Sequence, residues 1–461
     1  MPISTIKSVL AIALLCAVGS LNAQNVFRNV TTTASGYSTW DSDLINIESV
    51  TQTGKGVYVA VLDTGMVPNW RDYFPTARVA THLGIGFHQA VNFKAGNVGP
   101  CGTEVEVGAL HATGWVGSVG STHGTHVAST ILGYFYRSNT DAAQGYPLPP
   151  IMVRGLAPDV TVIPVQVLSD YHVPAMPKCG LPGGNAVFGT DAMIAAGINY
   201  VAGLARSGYR PMVINMSLGG DSLEPLEKAA IDDAIAAGVI IVAAAGNAGT
   251  SGMGYPGAYP PVISVGSVGW IGEWLAPAVV PPTRYRMWWL QYPFAPLLPE
   301  SGKVADPSDI DDIYVSDFSS RALAGQELDV LAPGSWVRGP FPSDSGYNHL
   351  PWWSAGIGDL RSHRLANFFY LGGTSMASPH VASLAALILQ KNPLLEQADV
   401  ESILKSSALT MPASGSLSIL DNFPPMITVT WDVTCDGNPC DAVGAGVIQA
   451  DAALAATPSP P

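Results

Sequence analysis

The sequence predicts an α/β fold with a doubly wound, mostly parallel central sheet flanked by helices. Strand and helix patterns alternate from Gly56 onward, and this alternation is typical of such sheets. Residues 239–245 are Val, Ile and Ala without polar alternation, which is typical of parallel strands buried on both faces. Two Trp-rich segments, 270–317 and 336–371, interrupt the order, and we expect long loop insertions within one domain there.

Each predicted element depends on its hydrophobic period and on the residues at its ends. Apolar runs that stop at polar residues predict strands, and a 3.6-residue period between a capping residue and a glycine predicts a helix. Thr190 or Asp191, for example, caps a helix that ends at Gly208. In chain order, we predict strands at 57–62 and 160–168, a helix from 190 or 191 to 208, a strand at 213–216, a helix at 222–237, a strand at 239–245, and a helix at 375–390 with Pro379 in its first turn.

The charge and composition exclude several classes of protein. The chain has 461 residues, with 35 Asp and Glu against 21 Lys and Arg, and a net charge of −14. Because phosphate binding needs basic clusters, which this acidic chain lacks, nucleic acid is excluded as a partner. With 48% hydrophobic and only 12% charged residues, the chain is too apolar to be disordered.

The first 23 residues predict a secretory signal peptide. Lys7 precedes an apolar run at 8–19, and small residues stand near Ala23. The apolar run is too short to span a bilayer, so we expect no stable membrane span. Leu21 makes the cleavage site imperfect, because it is the third residue before the cut, where a small residue is usual. An N-terminal anchor or a buried helix is the alternative.

Cleavage after Ala23 would divide the exported chain into three parts. We expect a loose, Thr- and Ser-rich extension at 24–39, one large folded domain at 40–455 and a Pro-rich tail at 456–461. The expected location is extracellular or periplasmic, and the expected state is a monomer.

Four cysteines would remain after removal of the signal peptide, and an even number in an exported chain predicts two disulfides. Cys435 and Cys440 enclose a turn-forming Asp-Gly-Asn-Pro sequence, which favours their pairing. By exclusion, Cys101 pairs with Cys179. A zinc site is the alternative, although no histidine stands close to Cys435 and Cys440.

Three segments contain residues for acyl transfer. Asp63 ends a predicted strand, where catalytic groups of open α/β sheets collect, and His123 and His126 stand at a predicted helix start. Ser375 follows a Gly-Gly turn at the start of another helix. A serine becomes nucleophilic when an imidazole takes its proton, and the imidazole needs a carboxylate to orient it. Asn247, after the strand at 239–245, is a candidate donor to the oxyanion, together with the Ser375 N–H.

These segments resemble the motifs of subtilisin-family serine peptidases (subtilases), in the same chain order. The matches are Asp63-Thr64-Gly65, His123-Gly124-Thr125-His126, Ala245-Gly246-Asn247 and Gly373-Thr374-Ser375-Met376-Ala377-Ser378-Pro379. The resemblance extends from about residue 40 to 454. It implies that Asp63, His123 and Ser375 form a catalytic triad, that Asn247 and Ser375 form the oxyanion hole, and that His126 is structural.

The resemblance also implies which residues bind substrate. They are Ser217, Leu218, Gly219 and Gly220 on one wall, Ala244, Ala245 and Gly246 on the other, and Gly254 at the floor. None of them is charged, which predicts a large apolar or aromatic side chain at the substrate residue before the scissile bond (P1). Asp221 adjoins the first wall, so a basic preference stays open.

The resemblance implies that the reaction requires no cofactor, although bound calcium is common in subtilases. The metal site, if any, is not identified; the acidic stretch 306–312 and Asp317 offer oxygen ligands. An aspartic peptidase is a weaker interpretation, because Asp344-Ser345-Gly346 lacks the preceding apolar strand that Asp63-Thr64-Gly65 has. We expect a secreted serine endopeptidase that cleaves peptides and proteins. The alternatives are a processing peptidase of narrow specificity and a non-catalytic binding scaffold.

Overall fold

The structure, a computed structural model, confirms the α/β class. It describes residues 27–95, 103–117, 121–136, 150–175, 183–271, 274–275, 285–286, 310–342, 354–355, 368–419 and 427–461. The strands are β1 Tyr58–Asp63, β2 Ile85–Ala95, β3 Thr103–Thr113, β4 Gly133–Tyr136, β5 Ile151–Arg154, β6 Thr161–Gln166, β7 Ser169–Val173, β8 Gly184–Phe188, β9 Met212–Met216, β10 Val239–Ala244, β11 Ile263–Trp270, β12 Trp274–Leu275, β13 Tyr285–Arg286, β14 Ile313–Val315, β15 Val330–Pro333, β16 Val337–Pro340, β17 Ser354–Ala355, β18 Phe368–Leu371, β19 Gly415–Ile419, β20 Ile427–Trp431, β21 Thr434–Cys435 and β22 Asn438–Pro439. The helices are α1 Trp40–Asp43, α2 Thr122–Leu132, α3 Asp191–Arg206, α4 Pro225–Ala236, α5 Thr374–Lys391, α6 Gln397–Ser406 and α7 Ala450–Ala456.

Within these described residues, nine strands form the central sheet in the order β14-β11-β10-β9-β1-β6-β2-β3, with β15 also paired to β11. Six neighbouring pairs are parallel: β2 with β6, β6 with β1, β1 with β9, β9 with β10, β10 with β11, and β11 with β15. The edge strands β14 and β3 are antiparallel to their neighbours. Parallel neighbours end at the same edge, so the residues after β1, β9 and β10 lie side by side.

Helices cover both faces of the sheet, because successive side chains of a strand point to opposite faces. Val59 and Val61 of β1 belong to one apolar core, together with residues of α2 and α5. Ala60 and Leu62 of the same strand belong to a second core, with residues of α3 and α4. This burial on both faces explains the unbroken apolar run that predicted β10.

The structure corrects three details of the sequence prediction. Helix α4 begins at Pro225, not at Ser222, because proline favours the first helical position and Glu224 is still extended. Pro379 lies inside α5, beyond its first turn. Residues 27–39 are not loose, since the backbone of Tyr37 bonds to Met152 and Arg154 of β5.

Several other predictions concern the chain ends and the cysteines. The predicted disulfide between Cys435 and Cys440 is present, with an S–S distance of 2.09 Å. Cys101, Cys179, residues 1–23 and most of both insertions lie outside the described residues. In the described part of the chain, no helix combines the length and apolarity needed to cross a membrane.

A buried pair links α1 to the helix that carries Ser375. The carboxylate of Asp41 lies 3.1 Å from Nε2 of His380, whose Nδ1 lies 2.8 Å from the carbonyl oxygen of Met376. Replacing Asp41 with alanine removes the carboxylate partner of this buried imidazole, and we expect the free energy of unfolding to fall by about 3 kcal/mol. Urea denaturation measures this change, with the exposed Asp221→Ala as control. Equal midpoints for the two variants would contradict it.

Candidate active site

Asp63 ends β1 at the carboxyl edge of the sheet and is fully buried. Its Oδ1 accepts a hydrogen bond from the N–H of Thr64 at 2.6 Å. The chain then turns at Gly65, where φ is +78° and a Cβ atom would lie 2.2 Å from the carbonyl oxygen of Trp115. Only glycine fits this turn, which fixes the carboxylate under the start of α2.

His123 lies in the first turn of α2, directly above Asp63. Its Nδ1–H donates to both carboxylate oxygens of Asp63, at 2.8 and 3.0 Å. The next residue is Gly124, where a Cβ atom would come within 2.4 Å of the carbonyl oxygen of Gly65, so the helix approaches the aspartate closely because this residue is glycine. With the proton on Nδ1, the Nε2 of His123 is left as a hydrogen-bond acceptor.

The pKa of His123 is raised above its usual 6.5. Burial by itself lowers this pKa, but the negative charge and hydrogen bond of Asp63 together outweigh burial. The side chain remains 20% exposed, so a substrate can reach the ring. The imidazole is therefore a base that becomes neutral only above its raised pKa.

Ser375 lies in the first turn of α5, and Ser217 binds it from the end of β9. The Ser375 hydroxyl donates to the carbonyl oxygen of Ser217 at 3.2 Å, and the Ser217 hydroxyl donates to the carbonyl oxygen of Ser375 at 2.8 Å. Pro379 explains the second bond, because a proline has no N–H for the carbonyl four residues before it. The internal proline thus leaves the Ser375 carbonyl to Ser217.

In the part of the chain that the structure describes, Ser375 makes no hydrogen bond to His123. Asp63 is hydrogen-bonded to His123, and Ser375 is hydrogen-bonded to Ser217. The two pairs meet at one cavity, which His123 and Ser217 both line. Catalytic hydrogen bonds are often long in enzymes without substrate. Rotation of the Ser375 hydroxyl away from the Ser217 carbonyl is the change that a triad requires.

Asn247 follows β10 and is held beside the Ser375 turn. Its Oδ1 accepts hydrogen bonds from the N–H of Thr374 at 2.8 Å and from the hydroxyl of Thr374 at 3.0 Å. A backbone N–H can only donate, so these bonds fix the amide orientation. The Nδ2 lies on the Gly373 side, 3.7 Å from where a Cβ atom of that glycine would be. Asn247 therefore presents its N–H groups near Ser375.

His126 lies deeper in the protein and does not contact Asp63. The ring is fully buried, and its Nε2–H donates to the carbonyl oxygen of Val337 at 3.1 Å. Burial, followed by the nearby His123, lowers the pKa of His126 to about 3. His126 is therefore neutral and packed, which supports its assignment as a structural residue.

The residues expected to bind substrate occupy adjacent segments. Ser217, Leu218, Gly219 and Gly220 line a cavity of about 390 Å³ that also contains His123. The backbone of Gly220 pairs with that of Tyr255 through two 2.8 Å hydrogen bonds. Ala244, Ala245, Gly246 and Gly254 do not line this cavity. They adjoin it, because a Cβ atom on Gly254 would lie 3.2 Å from the carbonyl oxygen of Gly220.

Glu227 also lines the cavity and was not predicted from the sequence. It lies in the first turn of α4, is 3% exposed, and has no hydrogen-bond partner for Oε1 among the described residues. Burial, then the charges of Asp191 and Glu224, raise its pKa to about 7. The sequence contains one signal, since Glu227 shares the helical face of Ala230, Ile231 and Ala234, which are apolar.

The described residues contain one cluster of three carboxylates, Glu327, Asp329 and Glu401. The ammonium group of Lys405 lies within it and donates to these three side chains at 2.5, 2.8 and 3.4 Å. A lysine in this position supplies the positive charge, so the cluster does not fit a calcium ion. Of the expected calcium ligands, residues 306–309 lie outside the described residues, and Asp317 Oδ1 accepts from the N–H of Phe318 at 2.8 Å.

Known proteins resemble this chain in sequence and in fold. The sequence profile of the subtilase family matches residues 54–423. Subtilisin DY of Bacillus licheniformis is 32% identical over 296 residues, which are 63% of this chain and 72% of the relative. Subtilisin of Bacillus pumilus is 30% identical over 301 residues, 64% of this chain and 73% of the relative. The solved structure of sphericase has a TM-score of 0.50 at 24% identity, and the match covers 89% of this chain and 97% of that one. This last similarity supports the fold alone.

Proposed function

The chain belongs to the subtilase family of serine peptidases, and we propose that it cleaves peptide bonds through Asp63, His123 and Ser375. The observation that carries the proposal is the hydrogen bond from His123 Nδ1 to Asp63 at 2.8 Å. His123 lines a cavity together with Ser217, and the carbonyl oxygen of Ser217 accepts a hydrogen bond from the Ser375 hydroxyl. Together these residues bring a buried carboxylate, a base and a hydroxyl to one edge of the sheet.

The reaction begins when Nε2 of His123 takes the proton from Ser375 Oγ, which forms a bond to the substrate carbonyl carbon. The carbonyl oxygen becomes an oxyanion and accepts hydrogen bonds from Nδ2 of Asn247 and the N–H of Ser375. The C–N bond then breaks while the His123 imidazolium protonates the leaving amine, and an acyl-enzyme remains. Water, deprotonated by His123, then attacks the ester carbonyl carbon. The bond from this carbon to Ser375 Oγ breaks, Oγ takes the proton back from the His123 imidazolium, and the carboxylic acid product leaves. These steps require no cofactor.

Asp63 orients His123 throughout these steps. Its two oxygens hold Nδ1–H, which keeps the Nε2 lone pair toward Ser375 and stabilises the imidazolium that forms. Because the pKa of His123 is raised above 6.5, the free base predominates only at neutral to alkaline pH. We expect the activity to have its optimum there.

Substrate binds as an extended strand along Ser217, Leu218, Gly219 and Gly220. The backbone of this segment is at the edge of the cavity, where a peptide can add as another strand. The uncharged residues Ala244, Ala245, Gly246 and Gly254 support a preference for large apolar or aromatic P1 side chains. A processing peptidase of narrow specificity is the second candidate, and the buried carboxylate of Glu227 favours it.

The sequence of residues 1–23 supports export, after which the enzyme would act outside the cell or in the periplasm as a monomer. Casein and a positional peptide library, incubated with the purified chain, test the proposed function. We expect hydrolysis with an apolar P1 preference. A folded chain that cleaves neither would overturn the proposal and favour the non-catalytic scaffold.

Replacing Asn247 with alanine removes the side-chain donor to the oxyanion while leaving the triad intact. We expect kcat to fall about 100- to 1,000-fold, the range measured for the loss of such a donor in subtilisin itself. Steady-state kinetics on a peptide substrate measure the change, and KM stays nearly constant because the bond forms with the oxyanion. The exposed Asn69→Ala is the control. A fall in kcat below fivefold for Asn247→Ala would exclude the role.

A further inference from the structure

We infer that Glu227 selects a cationic substrate side chain, Lys or Arg, at a position other than P1. This inference rests on the proposed function and concerns the same site. One juxtaposition carries it: the buried carboxylate of Glu227 lines the same cavity as His123. Its Oε1 has no hydrogen-bond partner among the described residues.

The cavity connects the catalytic base to Glu227. His123 and Ser217 line it at one side, and Glu227 and Ile194 line it where α4 and α3 meet. A peptide that pairs with residues 217–220 therefore has this cavity beside it. Of the residues expected to contact P1, only the wall at 217–220 lines this cavity, while the opposite wall and the floor (Ala244, Ala245, Gly246 and Gly254) do not. We therefore assign the cavity to another substrate residue.

The carboxylate of Glu227 lacks a compensating charge in the described part of the chain. The side chain is 3% exposed, and no described residue donates a hydrogen bond to its Oε1. A buried carboxylate without a partner is unstable as an anion, which agrees with the raised pKa of about 7. A cation in the cavity would supply both the charge and the missing donor.

The walls fit the rest of a basic side chain. Leu168, Val187, Phe188 and Leu218 are apolar and suit the methylene groups of Lys or Arg. Among the described residues that line the cavity there is no Lys or Arg, whereas Asp191 adds a second carboxylate. The volume of about 390 Å³ lies in the range of pockets that enclose a ligand.

The competing outcome is an apolar side chain above a protonated Glu227. Peptides that carry Lys, Arg or norleucine at one position from P2 to P5, and are otherwise identical, separate the two outcomes. Norleucine has a similar unbranched aliphatic stem but no charge. At one of these positions, we expect kcat/KM for Lys or Arg to exceed that for norleucine by about ten- to a hundredfold, the range of a charge-assisted hydrogen bond.

Two variants assign this preference to Glu227. In Glu227→Gln the ratio falls to about one, while Glu224→Gln, which loses an exposed carboxylate one turn away and outside the cavity, keeps it. Glu227→Leu favours norleucine and provides a second test if the first variant folds poorly.

The norleucine peptides report the proposed function separately, because their hydrolysis does not require a carboxylate at residue 227. No preference for a cation at any position, or a preference that survives Glu227→Gln, would overturn the inference while the peptidase assignment stands. Failure of the wild-type chain to cleave any peptide would instead overturn the proposed function.

Discussion

Replacing Ser375 with alanine is expected to lower kcat by about a million-fold, the loss measured when the nucleophile of subtilisin is removed. The alanine has no Oγ to form the acyl-enzyme, and water must attack without a covalent intermediate. The fold should remain, because among the described residues the hydroxyl bonds only to the carbonyl oxygen of Ser217. Single-turnover hydrolysis of a fluorogenic peptide measures the loss.

Ser378→Ala is the matched control for this variant. Its hydroxyl lies on the same helix, is fully buried, and donates to Asn215 Oδ1 at 2.8 Å. Its loss should lower the free energy of unfolding by about 1–3 kcal/mol and leave kcat nearly unchanged. If Ser375→Ala kept more than a tenth of the wild-type kcat, Ser375 would not be the nucleophile.

Replacing Asp63 with asparagine is expected to lower kcat about ten-thousand-fold, as the same change does in other serine peptidases. The asparagine amide donates to Nδ1 of His123, which forces the proton onto Nε2, where it blocks acceptance of the Ser375 proton. The pH profile should change as well. Asp63 raises the pKa of His123 against burial, which lowers it, so the acidic limb of kcat/KM should move to lower pH in the variant.

The direction of this pH shift separates catalysis from structure. In the wild type, activity falls as the pH drops through the raised pKa of His123, because the imidazolium cannot accept a proton. A variant that was merely less stable would lose amplitude at every pH without moving that limb. An acidic limb that stays in place, or moves to higher pH, would contradict the role of Asp63.

Much of the fold follows from local patterns in the sequence. The strand predicted to end at Asp63 is β1, and the helix predicted from Thr190 or Asp191 is α3, with the Thr190 hydroxyl accepting from the N–H of Met193. Capping residues and unbroken apolar runs act over a few residues, so a sequence reveals them. The same holds for the Cys435–Cys440 disulfide, which closes a short turn.

The features that were not predicted depend on contacts between distant segments. Glu227 looks like an ordinary acidic residue of a first helical turn until the hairpin of β7 and β8 encloses a cavity above it. Pro379 was expected in the first turn of its helix, where no N–H is needed. It lies inside α5 instead, and it is tolerated there because the hydroxyl of Ser217, 158 residues away from Ser375, donates to the freed Ser375 carbonyl. Residues 27–39 looked loose because the backbone partners of Tyr37, Met152 and Arg154, lie more than a hundred residues along the chain.

The most direct test of the triad is covalent labelling of the purified chain with a fluorophosphonate, followed by mapping of the adduct by mass spectrometry. The probe reacts only with a hydroxyl that a neighbouring base activates. We predict one adduct per chain, located on Ser375, that forms slowly in Asp63→Asn and is absent in Ser375→Ala. An adduct on another residue, or equal labelling of the Ser375→Ala chain, would contradict the assignment of Asp63, His123 and Ser375.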